Sequence, residues 1–235
     1  MELIEIMTGL ESLGSEQTRN TFYRHGARDP LFGVKVGDLK KYIKYVKNNH
    51  ELALQLYDTG NSDAMYLAGL AVNPKQMSKE TLQKWVNAAY WYVLAECTVA
   101  WVAAESEYAL ELAREWMEST DEMTACAGWS TYANYLSIAK DEQLNLKEIQ
   151  SLLQKVEKEI HGAPNRVRYN MNQFVICVGS FVASLTEEAK ATAEKIGKVH
   201  VDVGNTACKV PLAADYIEKV KNRGKIGVKK KTCRC

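Results

Sequence analysis

The sequence predicts an all-α protein. Apolar residues recur at intervals of three and four along nearly the whole chain, and the connections between these periodic segments are short. Only residues 198–204 (KVHVDVG) alternate apolar and polar side chains, which indicates a linker strand before the last helix. With 235 residues, 46% of them hydrophobic, the chain can bury a sizeable core, and one large domain fits as well as two small ones.

The first helix predicted in chain order is amphipathic and has a basic face. It lies in the segment GDLKKYIKYVKNN, residues 37–49. Its apolar side chains fall on one stripe by their spacing, whereas Lys40, Lys44 and Lys47 lie elsewhere on the cylinder. These three lysines are candidates for contacts with an acidic partner.

The helices that follow are bounded by turn and capping signals. Gly60 closes ELALQLYDTG, Asn73-Pro74 follows DAMYLAGLAV, and Ser78 opens SKETLQKWV. Further helices are predicted at residues 90–104, 106–118, 121–139, 146–161, 167–184, 186–197 and 211–222.

Short loops make consecutive helices pack as antiparallel hairpins. Five or more such hairpins in series, about 25–45 residues apart, predict a HEAT-like α-solenoid, an armadillo-like superhelix. A compact orthogonal bundle is the alternative. We expect residues 1–222 to form a single helical-repeat domain and residues 223–235 to form a basic tail.

Charge is distributed unevenly along the chain. From Lys219 onward the sequence holds eight of the thirty Lys and Arg and no acid, whereas residues 1–218 hold 22 basic and 29 acidic groups. Basic tails commonly bind nucleic acid or acidic surfaces, although many are only solvated. No apolar stretch approaches the roughly 18 residues that span a bilayer, and the first residues are acidic, so we expect a cytoplasmic protein with reduced cysteines and no membrane partner.

The run from Trp85 to Glu105 combines apolar character with a carboxylate. It holds three of the five tryptophans, and Glu96 is its one charge between Asn87 and Glu105. A carboxylate on a buried helix must find a donor, titrate upward, or line a cavity. We expect Tyr92 and Glu96 to face a groove with Trp85 and Trp91 as its aromatic lining. An ion pair with a neighbouring helix is the alternative.

Four segments carry a resemblance to a known family. The segments FGVKVGDLKK, LALQLYDTGNSDAMYLAGL, KWVNAAYWYVLAE and NRVRYNMNQFV resemble, in order and spacing, the HEAT-like-repeat alkylpurine DNA glycosylases of the DNA alkylation repair family. The likeness spans most of residues 20–220 and is carried by helix pattern. It implies a concave, basic, all-helical shell that holds duplex DNA by its backbone. Active members release N3- and N7-alkylated purines without a metal.

The resemblance also implies a site. Active members use an aromatic residue, an Asp four positions later, then an Arg and a second Trp on later helices. Tyr92 and Glu96 match the first two positions in one register, whereas a register anchored on Trp91 puts Ala95 at the acid position. Ala125 and Cys126 stand where the Arg is expected, and Gln173 stands where the second Trp is expected.

These departures shape the expected function. We expect a DNA-binding protein with weak or absent base excision, bound mainly to phosphates. The predicted DNA-binding side chains are Lys40, Lys44, Lys47, Arg166, Arg168, Asn172 and Gln173. An active glycosylase with Glu96 and Tyr92 as catalytic residues, and a protein-binding scaffold, are the alternatives. No cofactor or metal is expected, since His200, Cys208, Cys233 and Cys235 match no common zinc-ligand spacing, and a monomer is favoured.

Overall fold

A computed structural model describes residues 1–234, and within that range every regular element is helical. The first seven α-helices are α1 (Leu3–Leu13), α2 (Glu16–Arg24), α3 (Val36–Leu39), α4 (Ile43–Val46), α5 (His50–Asp58), α6 (Ser62–Ala71) and α7 (Lys79–Ala88). The next seven are α8 (Ala100–Ala104), α9 (Ala109–Met117), α10 (Glu122–Ile138), α11 (Leu146–Glu159), α12 (Asn165–Phe181), α13 (Thr186–Ile196) and α14 (Ala213–Asn222). A π-helix, Val93–Val99, leads directly into α8. The all-α fold class is therefore confirmed.

Side-chain caps define where many of the helices begin. Asp121 Oδ1 accepts the Thr124 N–H of α10 at 2.8 Å, which satisfies a donor that the helix itself leaves unpaired. The same kind of cap stands before α2, α5, α6, α7 and α11, at Ser15, Asn49, Asn61, Ser78 and Asn145. The cap predicted at Ser78 is among these.

Helices α10 and α12 form the centre of the protein. Helix α10 packs against α9 on one side and against α8, the π-helix and α12 on others. The approach of α9 is close at Gly128, where an added Cβ would lie 2.5 Å from the Met117 backbone nitrogen. A side chain larger than hydrogen at Gly128 would therefore push the two helices apart.

The segment after α14 is fastened across the carboxyl ends of four helices. We call residues 225–234 the strap. Gly227 N–H donates to Ser180 O of α12 at 2.9 Å, and Lys230 N–H donates to Ser137 O of α10 at 2.8 Å. The strap therefore donates first to the carboxyl end of α12 and then to that of α10.

The far end of the strap reaches α8 and α6. Arg234 Nη1 donates to Val72 O beyond α6 at 2.7 Å, and its Nη2 lies 3.1 Å from Glu105 Oε2 after α8. Cys233 is buried with Leu70, Trp101 and Ala104, a group that we call the Trp101 cluster. The strap therefore supplies donors to carbonyls that helix ends leave unpaired.

Several predicted elements differ from the observed ones. Helices α1 and α2 were not predicted. Helix α2 is polar and has no buried residue that would reveal its period, whereas α1 buries Ile6 and Leu10 on one face. The helix predicted in residues 37–49 is broken into α3, a 3₁₀ turn and α4. Residues 198–204 are irregular, so the linker strand was wrong. No helix within residues 1–234 is long and apolar enough to cross a bilayer.

Candidate functional site

A polar cavity of about 610 Å³ lies at the amino ends of the π-helix, α10 and α12. Its other walls are the end of α2 and the irregular loop before α14. The lining residues include Tyr23, Arg24, His25, Trp91, Tyr92, Glu122, Asn165, Arg166, Tyr169, Asp202, Cys208 and Lys209. The amino ends of α10 and α12 bring positive dipole ends to this place. We call this space the polar cavity.

Glu96 of the π-helix is paired with Arg166 of α12 beside this cavity. Arg166 Nε donates to Glu96 Oε1 and Arg166 Nη2 donates to Oε2 at 2.7 Å, so the contact is bidentate. Asn170 Nδ2 adds a third donor to Oε1 at 2.8 Å. The Glu96 side chain is only 8% exposed and does not line the cavity, whereas Arg166 does.

Two tyrosine rings enclose the Arg166 guanidinium. Its carbon lies 3.8 Å from the Tyr92 ring centroid and 4.0 Å from the Tyr169 centroid, so the cation is stacked between two π faces. His25 Nδ1 lies 2.8 Å from the Tyr92 hydroxyl oxygen and fixes that ring from the side of α2. The cavity wall is therefore a rigid layered array of planar groups.

The ionisation of the pair follows from its burial. Burial raises the pKa of the Glu96 carboxyl, although the hydrogen bonds from Arg166 and Asn170 oppose that rise. Burial alone would lower the pKa of Arg166, but its hydrogen bonds and charge interaction with Glu96 raise that pKa overall. Burial also raises the pKa of Tyr92 to about 12, so its phenol stays protonated at neutral pH.

The π-helix sets where these side chains lie. A π-helix has more residues per turn than an α-helix and commonly occurs at functional sites. Ser130 of α10 donates its hydroxyl proton to the Glu96 carbonyl oxygen at 2.6 Å, which supplies a partner within the widened segment. Regular α-helical spacing is therefore interrupted from Val93 to Val99.

A second, apolar cavity of about 290 Å³ lies on the other side of the His25–Tyr92 contact. Trp91 lines both cavities, and its indole N–H donates to Ser62 Oγ at 3.1 Å. Asp63 borders the apolar cavity and accepts backbone N–H groups from Phe32, Gly33 and Val34. This carboxylate therefore anchors the loop before α3.

Three of the predicted site residues require correction. Glu96, expected to face the groove, is paired with Arg166 and does not line the cavity, so the alternative of an ion pair with a neighbouring helix is the one observed. Trp85, expected in the groove, is 1% exposed and stacks on Tyr57 with ring centroids 3.9 Å apart, so it belongs to the core. Asn172, expected to contact DNA, is 1% exposed and donates to Pro211 O at 2.9 Å. Trp85 and Asn172 lie on helix faces that point between helices, which residue type alone did not reveal. Trp91 and Tyr92 do lie at the cavity.

The remaining predicted DNA contacts are at least partly accessible. Lys40, Lys44 and Lys47 are exposed, and Ile43 between them packs against the Trp101 cluster. Arg168 and Gln173 on α12 are partly exposed. Arg166 differs from these, because its guanidinium is committed to Glu96 and enclosed by the tyrosines. Exposed lysines therefore lie on the segment beside the Trp101 cluster, and Arg168 lies near the amino end of α12.

Sequence reasoning did not find several residues of the polar cavity. Tyr169 follows a helix period without a distinguishing signal, His25 lies at the end of α2, which the sequence did not predict, and Cys208 and Lys209 lie in an irregular loop. For the partner of Glu96, the sequence indicated only an ionic residue on a neighbouring helix and did not indicate which one. Within residues 1–234 no three His, Cys, Asp or Glu side chains are grouped as metal ligands, and Cys235 lies outside the described residues.

The fold and site together define a class of protein. An all-helical repeat structure carries aromatic and cationic groups at the amino ends of its central helices, with a carboxylate held behind them. The chain belongs to the DNA alkylation repair enzyme family, whose match covers residues 6–189.

Relatives of similar length support this assignment. The Lmo0209 protein of Listeria monocytogenes is 40% identical over 227 residues, covering 94% of this chain and 98% of the relative. The Lin0241 protein of Listeria innocua is 39% identical over 225 residues, covering 93% and 97%. One solved structure matches with a TM-score of 0.92 and 38% identity over 100% of both chains. That structure represents a new family of proteins related to the HEAT-like repeat DNA glycosylases, with affinity for branched DNA structures. The HEAT-like resemblance is confirmed.

Proposed function

We propose that this protein binds branched DNA, mainly through phosphates, and that it excises alkylated bases weakly or not at all. The observation that carries the second part is the closed Glu96–Arg166 pair. A carboxylate that stabilises a developing positive charge on a sugar must reach that sugar with its own charge uncompensated. Glu96 instead faces a guanidinium and an amide, and both its oxygens are occupied.

The affinity for DNA rests on charge and on similarity. The three exposed lysines lie on the segment that packs against α6, Arg168 lies near the amino end of α12, and the strap crosses the carboxyl ends of α12 and α10. These basic groups are available to the phosphates of a bound nucleic acid. The solved relative with 38% identity has affinity for branched DNA structures. A backbone-bound complex of this kind depends on the shape of the DNA more than on its base sequence.

Two assays test the proposal. Retention of a three-way junction and of a linear duplex of equal length is measured by gel shift at increasing salt, and we expect tighter binding of the junction with a steep salt dependence. Release of 7-methylguanine and 3-methyladenine from alkylated duplex is measured for the wild type and for Glu96→Gln, and we expect none above background from either. Equal retention of junction and duplex would refute the binding part. Robust release by the wild type would refute the other part, and its collapse in a Glu96→Gln variant that thermal melts show to be folded would make Glu96 catalytic.

A further inference from the structure

We propose that the polar cavity takes up one unpaired nucleotide at the branch point of a bound DNA. This inference rests on the proposed function and specifies what the branch offers to the protein. It follows from the size of the cavity, from its aromatic wall, and from two cations beside it that are free of ion pairs among the described residues.

The size and lining of the cavity fit a nucleotide. Its volume of about 610 Å³ lies within the range of small-molecule sites, which is roughly 300–1,000 Å³. Tyr23, Trp91, Tyr92 and Tyr169 all border it. Proteins that hold single-stranded DNA stack its bases on such rings without sequence preference. The partly exposed rings of Tyr23, Tyr92 and Tyr169 thus provide surfaces for a base, and Trp91, 5% exposed, supports the wall from behind.

The charges at the cavity fit the phosphate of the same nucleotide. Arg24 ends α2 and Lys209 lies in the loop opposite, and both are exposed and form no ion pair within residues 1–234. The acids at the cavity are already bonded to backbone donors. Glu122 accepts the Arg166 N–H at 2.6 Å, and Asp202 Oδ1 accepts the Gly204 N–H at 2.8 Å.

The closed Glu96–Arg166 pair gives the site a rigid base platform. Tyr92 and Tyr169 are held against the guanidinium between them, and His25 contacts the Tyr92 hydroxyl. A preorganised wall loses little side-chain entropy on binding, so an incoming base gains most of its stacking energy. In this arrangement Glu96 orders the platform and takes no part in a reaction.

A base in a fully paired duplex cannot enter such a cavity, since its faces are covered by its neighbours in the stack. Taking a base out of a duplex costs unstacking and unpairing, and the cost is least for a base that is already unpaired. Branch points with an unpaired nucleotide therefore present the ligand at the lowest cost.

The test compares two three-way junctions with identical arms, one fully paired and one with a single unpaired 2-aminopurine at the branch. We measure the dissociation constant for each and the fluorescence of the probe. We expect the wild type to bind the unpaired junction about tenfold more tightly, the order that stacking of one base contributes, and to quench the probe.

Four single variants show which residues produce the preference for the unpaired junction. Tyr169→Leu is expected to remove the preference and the quenching, whereas Tyr169→Phe keeps the ring and both signals. Lys209→Gln is expected to weaken the preference several-fold, and Lys225→Gln, an equal charge change on the strap, leaves it unchanged. Thermal melts of each variant confirm that it is folded.

Three results would overturn the inference. They are equal affinity of the wild type for the two junctions, unchanged quenching in both Tyr169→Leu and Lys209→Gln, and failure of free dAMP at millimolar excess to restore any of the probe's fluorescence. Loss of the preference for any junction over a linear duplex is a different result, because it refutes the proposed function itself.

Discussion

Arg166 and Glu96 form a bidentate pair between two helices 70 residues apart in sequence. Three side-chain donors converge on the carboxylate, from Arg166 and Asn170, both on α12. Because α12 is a central helix, this pair joins the π-helix to the part of the core built by α10 and α12. Removal of the Glu96–Arg166 pair should therefore lower the stability of the protein. It should not change a reaction, because the proposed function assigns no reaction to the pair.

The first prediction concerns the stability of this pair. Glu96→Gln leaves the Arg166 guanidinium buried without a counter-charge, and we expect the free energy of unfolding to fall by about 3–5 kcal/mol. Urea unfolding at neutral pH measures this free energy.

The double variant Glu96→Gln with Arg166→Gln should lose less stability than the sum of the losses in the single variants, because it leaves no lone charge. Glu111→Gln, which breaks an exposed pair with Lys79, is the control. A loss in Glu96→Gln no larger than in the control would contradict the prediction.

The second prediction concerns the response of the strap to pH. Burial would raise the pKa of Glu105, but the Thr232 hydroxyl, the Arg234 charge and Cys233 hold that pKa below its usual value. A depressed carboxyl pKa adds stability that is present above the unfolded pKa, about 4, and is lost as the pH falls through the folded value. Glu105→Gln should thus lower stability by about 1–3 kcal/mol at pH 7.

The pH series supplies the check on that second prediction. The difference in unfolding free energy between the wild type and Glu105→Gln should shrink as the pH is lowered from 7 to about 3. Glu107→Gln, at an exposed neighbour, is the matched control for the substitution itself. A difference between wild type and Glu105→Gln that stays constant across the series would count against a charged Glu105 as the anchor of the strap.

The third prediction separates the strap's packing from its charge. Deleting residues 225–235 uncovers the Trp101 cluster and leaves helix-end carbonyls without their donors, so we expect the melting temperature to fall by about 5–10 °C, corresponding to about 2–3 kcal/mol. The same deletion removes five basic groups and should flatten the salt dependence of DNA binding. Substituting only Lys225, Lys230 and Lys231 with Gln should flatten that dependence without lowering the melting temperature. Equal melting temperatures for the deletion and the wild type would refute the packing role.

The fourth prediction concerns the basic face of residues 37–49. Replacing Lys40, Lys44 and Lys47 with Gln should weaken junction binding and reduce the slope of log K against log salt by about 2–3, close to one unit for each phosphate that is no longer neutralised. The matched control replaces Lys155, Lys195 and Lys221, whose partners are Glu118, Glu157 and Glu187 on outer helices. An equal change of slope in the control would mean that net charge, rather than this face, governs binding.

Much of the architecture could be predicted from the sequence because the packing that defines it is periodic. The capped starts at Ser78 and near Asp121 and the apolar periods of the later helices carry their own signals. Helix α2 had none, since it presents a polar surface and contributes to the cavity through its last residues. The π-helix is supported by a hydrogen bond from Ser130 of α10, a tertiary contact that no local sequence pattern predicts.

The site was harder to predict than the fold. Helical spacing placed Tyr92 and Glu96 on one side of a helix, but whether a carboxylate is open or paired depends on which helix lies opposite. That helix is α12, and its Arg166 was assigned to phosphates because a basic helix start is typical of such contacts. Trp85 was misplaced for a related reason, since an aromatic in an apolar run fits a groove and a core equally well.

The strap also has a consequence for folding during synthesis. Its Arg234 bonds to Val72, 162 residues earlier, so α6 is synthesised long before the group that completes its carboxyl end emerges from the ribosome. Contacts of such large sequence separation are entropically costly to close and form late in folding. During that interval Trp101 and its neighbours lack the cover of Cys233. The nascent chain therefore passes through a state with an open apolar edge, in which chaperone binding and protease attack compete with closure.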